Sequence, residues 1–281
     1  MEFLMELLEF LDADMEKPTL YGWFHILCLF LTVGTTILLC KLFPQGTTQQ
    51  VHRIILVITV AVSLLELYKQ INYTFSVTSG AIKTDYQWYA FPFQFCSTPM
   101  YAGILACLFR KGKVHNAMCA FLATYAVFAG VCVMLYPADV FVDTIGINIQ
   151  TMVCHGSMIV LGIYLLYSKY VPCELKTILK AIPAFAGAVC IAAIANEIAY
   201  MTGLLKTETF NMFFISPYCD PSLPVYSLVQ AVVPYPWCLV IYILVFSLAA
   251  YIILLLAILV RKLFNRHFKS RSYEKEKKIS V

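Results

Sequence analysis

Long apolar runs broken by short polar stretches set the rhythm of this chain. Seven runs, near 20–42, 52–75, 92–109, 115–136, 149–168, 178–202 and 236–260, are long and apolar enough to cross a bilayer, since about 20 residues rising about 1.5 Å each span the hydrocarbon core. The pattern predicts an all-α, polytopic membrane protein with seven transmembrane helices. The third run is the shortest, and Pro92 stands close to its start, where the first-turn N–H has no helical partner to lose. Ahead of the first run, MEFLMELLEFLDADMEK places Phe3, Leu4, Leu7, Leu8 and Leu11 at helical spacing between acids. That predicts a surface-lying amphipathic helix, and the missing basic n-region argues against a cleaved signal peptide. The chain therefore divides into an acidic amphipathic segment (1–19), a transmembrane domain (20–262) and a basic tail (263–281).

Composition agrees, with 61% apolar and 13% charged residues. Charge adds an orientation. The loops after the first, third and fifth runs plus the tail hold sixteen of the twenty Lys and Arg: Lys41, Arg53, Arg110, Lys111, Lys113, Lys169, Lys176, Lys180 and eight between Arg261 and Lys278. The other side holds Lys17, Lys83 and Lys206, while Lys69 falls inside a run. Because positive loops stay cytoplasmic, the split predicts an N-outside, C-inside integral membrane protein of a plasma, inner or organelle membrane. The basic tail is then explained as an anchor against anionic lipid.

Eleven cysteines lie mostly inside apolar runs, where a thiol behaves as a small hydrophobe, so no disulfide framework follows. There is no CxxC pair, no Gly-rich phosphate loop and no nucleic-acid signature. No cofactor is implied, and a metal site built from His25, Cys96 and His155 is a weaker third possibility, because no local ligand spacing supports it.

Ionisable groups within hydrocarbon tend to face a cavity or one another and to mark working parts. Here they are His25 in the first run, Glu66 and Lys69 in the second, Cys96 some four residues into the third, His155 in the fifth, and Asn196 with Glu197 in the sixth. Counted at about 1.5 Å per residue, all fall roughly 6 to 13 Å beneath the outer surface. A shared polar pocket opening to the non-cytoplasmic side accounts for the coincidence, and the loop from Gly203 to Val233, carrying NMFFISPYCDPSLPVYS, would lie over it as a lid. Blander roles stand beside this one. Glu66 and Lys69 would neutralise each other at i and i+3. Asn196 and Glu197 would hydrogen-bond between helices, and His25 would donate to a carbonyl.

Cys96 paired with His155 is the combination with chemical content, since a thiol becomes a nucleophile when an imidazole takes its proton. The pair suits acyl transfer through a thioester, and within a membrane the ester at hand is lipid. Two rivals remain: a proton- or ion-coupled transporter using Glu66, Lys69, His155 and Glu197, and a lipid hydrolase using the same Cys/His pair.

The block FPFQFCS, Phe91 to Ser97, resembles the "LPxHxC" signature opening the third helix of the YwaF-like bacterial integral membrane proteins and their animal relatives, the transmembrane cysteine acyltransferases of ether-phospholipid remodelling. VCHGSMI, with His155, and NMFFIS, similar to the family's "NYxxL" segment, follow in the family's order. The resemblance implies CoA-independent transacylation between membrane phospholipid and lysophospholipid, with Cys96 acylated, His155 activating the thiol and then the acceptor hydroxyl, and Asn211 in the site region. One position departs: Gln94 stands where the family frequently has histidine. Gln donates a hydrogen bond but shuttles no proton at neutral pH, which points to an oxyanion donor there.

Overall fold

The computed structural model describes the backbone of residues 1–204, 210–219 and 224–279 and the side chains of 1–204, 210–219 and 226–263. Helices dominate. A short α1 (Glu2–Leu11) precedes α2 (Trp23–Leu42) and α3 (Thr48–Asn72), and a hairpin of β1 (Phe75–Thr78) and β2 (Ala81–Thr84) follows. Next come α4 (Thr98–Leu108), α5 (Lys113–Ala123), α6 (Tyr125–Leu135), α7 (Ile145–Tyr167), α8 (Lys176–Met201), α9 (Pro224–Gln230) and α10 (Tyr235–Ile279). Six spans among the described residues are long and apolar enough to cross a membrane: α2, α3, α5 continued into α6, α7, α8 and α10 to Leu263.

The third expected span is where the structure departs. Only α4 is helical there, eleven residues long, and about 16 Å of helix does not cross a hydrocarbon core. The seven residues before it are irregular, with Cys96 in a turn ahead of the helix and not four residues inside it. Pro99, not Pro92, occupies the first turn of α4, which follows Ser97 as N-cap. Irregular backbone of this kind is tolerated within a membrane only where protein covers it or a cavity receives it.

The hairpin corrects the all-α expectation. Its turn is Ser79–Gly80, both at positive φ (55° and 73°), the twist a two-residue hairpin turn requires. Asp85 and Gln87 then donate their N–H groups back to Thr74 and Tyr73, returning the chain to the end of α3.

At the bundle's centre α7 packs on α2, α3, α5 and α6. Small residues allow these approaches. A Cβ on Gly130 of α6 would stand 2.7 Å from the His155 carbonyl, and one on Gly103 of α4 would collide with the Thr59 side chain of α3. The second contact sets α4 halfway along α3. At the N-terminal end α1 is tied down by Tyr68 and Asn72, which donate to the Leu11 carbonyl and the Asp12 carboxylate at 2.7 and 3.0 Å. Phe3 and Phe10 stay exposed, as a surface-lying helix would leave them. The basic tail continues α10 as far as Ile279, and its side chains lie outside the described residues.

Candidate functional site

Glu66 is buried on α3 and accepts from Lys69 Nζ at 2.8 Å and from Gln70 Nε2 at 2.8 Å. Gln70 Nε2 also donates to the Ala90 carbonyl at 2.9 Å, and Gln70 Oε1 accepts from the Tyr86 hydroxyl at 2.7 Å. The Glu66–Lys69 pair is thus extended into a network that fixes the chain leading to Cys96. Gln70, one turn beyond Glu66, and Tyr86 were not singled out in the sequence. The i, i+4 spacing from Glu66 to Gln70 was the available signal.

From Pro92 to Thr98 the backbone folds on itself. The Tyr101 hydroxyl donates to the Pro92 carbonyl at 2.7 Å, and the N–H groups of Ser97 and Thr98 both donate to the Gln94 carbonyl. Cys96 is held partly buried at the N-terminal end of α4. Burial opposes ionisation of its thiol most strongly; of the nearby charges, Lys69 favours the thiolate and Glu66 opposes it. A cavity of about 20 Å³ adjoins the thiol, bounded by Thr59 and Val62 of α3 and by Cys154 and Ser157 of α7. That is room for about one water and not for an acyl chain.

His155 lies ten residues into α7, about 15 Å from its first residue and near mid-helix. Its Nδ1 bonds the Thr151 carbonyl at 2.7 Å, which makes Nδ1 the protonated nitrogen. Nε2 then carries the lone pair, and it is buried with no hydrogen-bond partner. Cys96 and His155 share no hydrogen bond. What they share is the field of Lys69, which acts on both, and adjacency in sequence: Cys154, beside His155, faces the same small cavity as Cys96.

Two carboxamides hold the last loop over this region. Gln94 Nε2 donates to the Asn211 carbonyl at 3.0 Å while its Oε1 accepts from Phe213 N–H at 2.9 Å. The fully buried Asn196 repeats the pattern on the next residue, donating to the Met212 carbonyl at 3.0 Å and accepting from Met212 N–H at 2.8 Å. Asn211 in turn accepts from Ser216 N–H at 2.9 Å. Phe213 and Phe214 are both at positive φ (58° and 57°), a region that costs a residue with a Cβ about 1–2 kcal/mol. The loop supports that conformation by burying Phe213 against Phe93, Phe95 and Phe185, with the Phe213 carbonyl accepting from the Tyr242 hydroxyl at 3.0 Å. The expected lid over Gly203 to Val233 is therefore a plug in its middle; 205–209 and 220–223 lie outside the described residues. Gln94, with both ends of its amide engaged, is a clamp in this conformation and is not free to serve as an oxyanion donor.

Two residues assigned to the common pocket stand elsewhere. His25 is fully buried beside Phe141, its Nδ1 accepting from Tyr21 N–H at 3.0 Å and its Nε2 bonded to the Met134 carbonyl at 2.8 Å. Glu197 is exposed and accepts from the Tyr218 hydroxyl at 2.7 Å. Counting depth could not separate them, because depth does not say which face of a helix a residue occupies. His25, Cys96 and His155 are not gathered, and no group of three or more His, Cys, Asp or Glu among the described residues is arranged to hold a metal.

A multi-span helical bundle with an interrupted apolar segment and buried polar groups defines an integral membrane protein. The family model described as the TMEM164 family matches residues 20–257, and the chain belongs to that transmembrane protein family. No curated protein and no solved structure matches it.

Proposed function

We propose that this protein is a membrane lipid acyltransferase that moves a fatty acyl group from a phospholipid to a lysophospholipid through a thioester on Cys96. The observation that carries the reading is the His155 ring, with Nδ1–H fixed on a backbone carbonyl and a buried, unpartnered Nε2 lone pair. A buried acceptor left unsatisfied costs about 1–3 kcal/mol, so such a group calls for a reason. Accepting a proton is the reason favoured here.

In the first half-reaction His155 Nε2 takes the Cys96 proton and the thiolate attacks the ester carbonyl of the donor. The ester C–O bond breaks, and the departing lysolipid oxygen takes the proton back. In the second, the acceptor hydroxyl passes its proton to His155 as its oxygen attacks the thioester; the C–S bond breaks, and the departing thiolate takes that proton back to regenerate the thiol. Burial opposes the thiolate most strongly, and the Lys69 charge and the N-terminal end of α4 offset that opposition in part. The resemblance of FPFQFCS to the acyltransferase signature supports the same assignment. We orient the plugged end away from the cytoplasm on the charge rule; an epitope placed at Ser79–Gly80 should be reached by antibody in intact cells, and antibody reaching it only after permeabilisation refutes that orientation for a surface-membrane protein.

Because the cavity beside Cys96 admits about one water, hydrolysis of the thioester is the competing outcome. Purified protein incubated with acyl-labelled phospholipid should acquire a hydroxylamine-sensitive label that Cys96→Ala abolishes, and added lysolipid should receive it. Free fatty acid as the sole product would make the protein a hydrolase. Undiminished label in Cys96→Ala ends the thioester reading, and ion or solute uptake lost in Glu66→Gln but intact in Cys96→Ala would favour the transporter.

A further inference from the structure

The end of the bundle opposite the plug carries a second, larger cavity that the proposed reaction does not use. About 670 Å³ in volume, it lies between the first turns of α3 and the last turn of α4, with His52, Arg53, Leu56, Leu108 and Arg110 among its walls. Two arginines thus line one space. Neither Arg53 nor Arg110 forms an ion pair among the described residues, where Lys69–Glu66 is the one pair present. The imidazole of His52 lines the same cavity, within the field of Arg110. Behind His52, the Tyr170 hydroxyl lies 3.5 Å from its Nε2 and 2.7 Å from Nε2 of His115, so the rear of the cavity is braced and not loose.

The opposite wall is apolar and open. Leu56 is 50% exposed and Leu108 71% exposed, and both belong to the faces that α3 and α4 turn outward from the bundle. The cavity therefore joins a cationic recess to a lipid-facing apolar surface. A soluble anion would use the first and gain nothing from the second. An anionic phospholipid uses both, its phosphate against the two guanidiniums, which pair with phosphate oxygens in a bidentate manner, and its glycerol and first methylenes along Leu56 and Leu108. The volume is within the range of small-ligand sites, and basic recesses between membrane helices suit lipid head groups.

We propose that this cavity is a binding site for an anionic phospholipid of the leaflet at the basic end, its phosphate held by Arg53 and Arg110. The site stands apart from Cys96 and does not depend on the acyltransferase reading.

The test uses the full chain in nanodiscs of zwitterionic lipid doped with a phosphatidic acid bearing a photoreactive group near the phosphate. Cross-links should concentrate on peptides containing Thr48–Leu56 and Cys107–Arg110, and unlabelled phosphatidic acid should compete. Inorganic phosphate at the same concentration and phosphatidylcholine should not. Labelling of the wild-type chain reads out the site even if a variant misfolds. Among variants, Arg53→Gln with Arg110→Gln should lower cross-linking there at least tenfold, while Lys111→Gln with Lys113→Gln, which removes two neighbouring charges outside the cavity, should leave it within twofold. Cross-links spread evenly around the bundle, equal loss in both variants, or competition by free phosphate alone would each overturn the proposal.

Discussion

Cys119 and His115 lie one turn apart on α5, with Sγ 3.5 Å from Nε2; Cys96 and His155 lie on different elements and share no hydrogen bond. By distance alone the first pair is the better candidate for thiol chemistry. Its histidine is fully employed, however: Nδ1 bonds the Ala106 carbonyl at 2.9 Å and Nε2 the Tyr170 hydroxyl at 2.7 Å. The ring of His155 has one nitrogen engaged and the other buried without a partner. Unspent hydrogen-bonding capacity, more than proximity, separates a histidine that holds a fold together from one available for proton transfer.

Exchanging roles between the two histidines is the most severe way to break this comparison. His155→Gln should lower acyl transfer by about 10²–10⁴, the usual worth of a general base, with little change in thermal unfolding. His115→Leu should do the reverse. It removes the bonds to the Ala106 carbonyl and the Tyr170 hydroxyl, leaving the hydroxyl its longer contact with His52, at a cost of about 1–3 kcal/mol, seen as a lower midpoint in detergent, while activity per folded molecule stays near that of the parent. Loss of turnover in folded His115→Leu, with His155→Gln active, would transfer the catalytic role to the other end of the bundle.

The next effect concerns the charges near Cys96. Glu66→Gln leaves Lys69 without its carboxylate in a mostly buried setting, and breaking such a pair costs about 3–5 kcal/mol. Adding Lys69→Met should recover much of that stability, since no unpaired charge remains. It should not recover the rate of Cys96 acylation, because the ammonium whose charge offsets the burial of the Cys96 thiol is gone. A double variant that acylates at the parental rate would reduce Glu66 and Lys69 to a neutralised structural pair.

Much of the bundle was legible because its signals are long. Of the seven spans that runs of about twenty apolar residues predicted, six stand close to where they were placed. What escaped was short. The Ser79–Gly80 turn between Phe75–Thr78 and Ala81–Thr84 is a hairpin signal, but its strands are only four residues long and directly follow the apolar pattern of α3. The residues from Phe91 to Cys96 are as apolar as a helix and are not one; Gln94 and Asn196 spend their amides on the backbone of a loop more than a dozen residues distant in sequence, and no periodicity reports such a partner. Depth was similarly half a coordinate. It brought Glu66, Lys69, Cys96 and His155 toward one region but could not tell that the His25 ring is already satisfied or that Glu197 faces outward.

Those two clamps give a smaller, local effect. Gln94→Ala and Asn196→Ala each remove two hydrogen bonds to the strained segment around Phe213, worth about 1 kcal/mol apiece. Amide hydrogen exchange over residues 210–216 should quicken in both variants while exchange in α7 is unchanged. The cavity beside Cys96 is too small for an acyl chain, so a loosened plug should also raise the rate at which Cys96 becomes acylated if plug opening limits access. Unaltered exchange in both variants would show that aromatic packing alone holds the loop.

The smallest effect is expected at Glu197, whose neighbour Asn196 is fully buried while Glu197 itself is exposed. One residue along a helix is a rotation of about 100°, enough to turn one side chain into the bundle and the next out of it. Outside, among the described residues, Glu197 meets the rim of the plug: its carboxylate accepts from Tyr218, whose ring stacks on Tyr200 at 3.6 Å between centroids. Glu197→Gln keeps an acceptor for that hydroxyl, and Tyr218→Phe removes the bond while sparing the stack. Both should leave acyl transfer within about twofold of the parent, far less than the 10²–10⁴ expected of a general base. A collapse of activity in Glu197→Gln with Tyr218→Phe unaffected would mean that the carboxylate acts through its charge and not through this contact, and Glu197 would then rejoin Glu66 and Lys69 as part of the working charge arrangement.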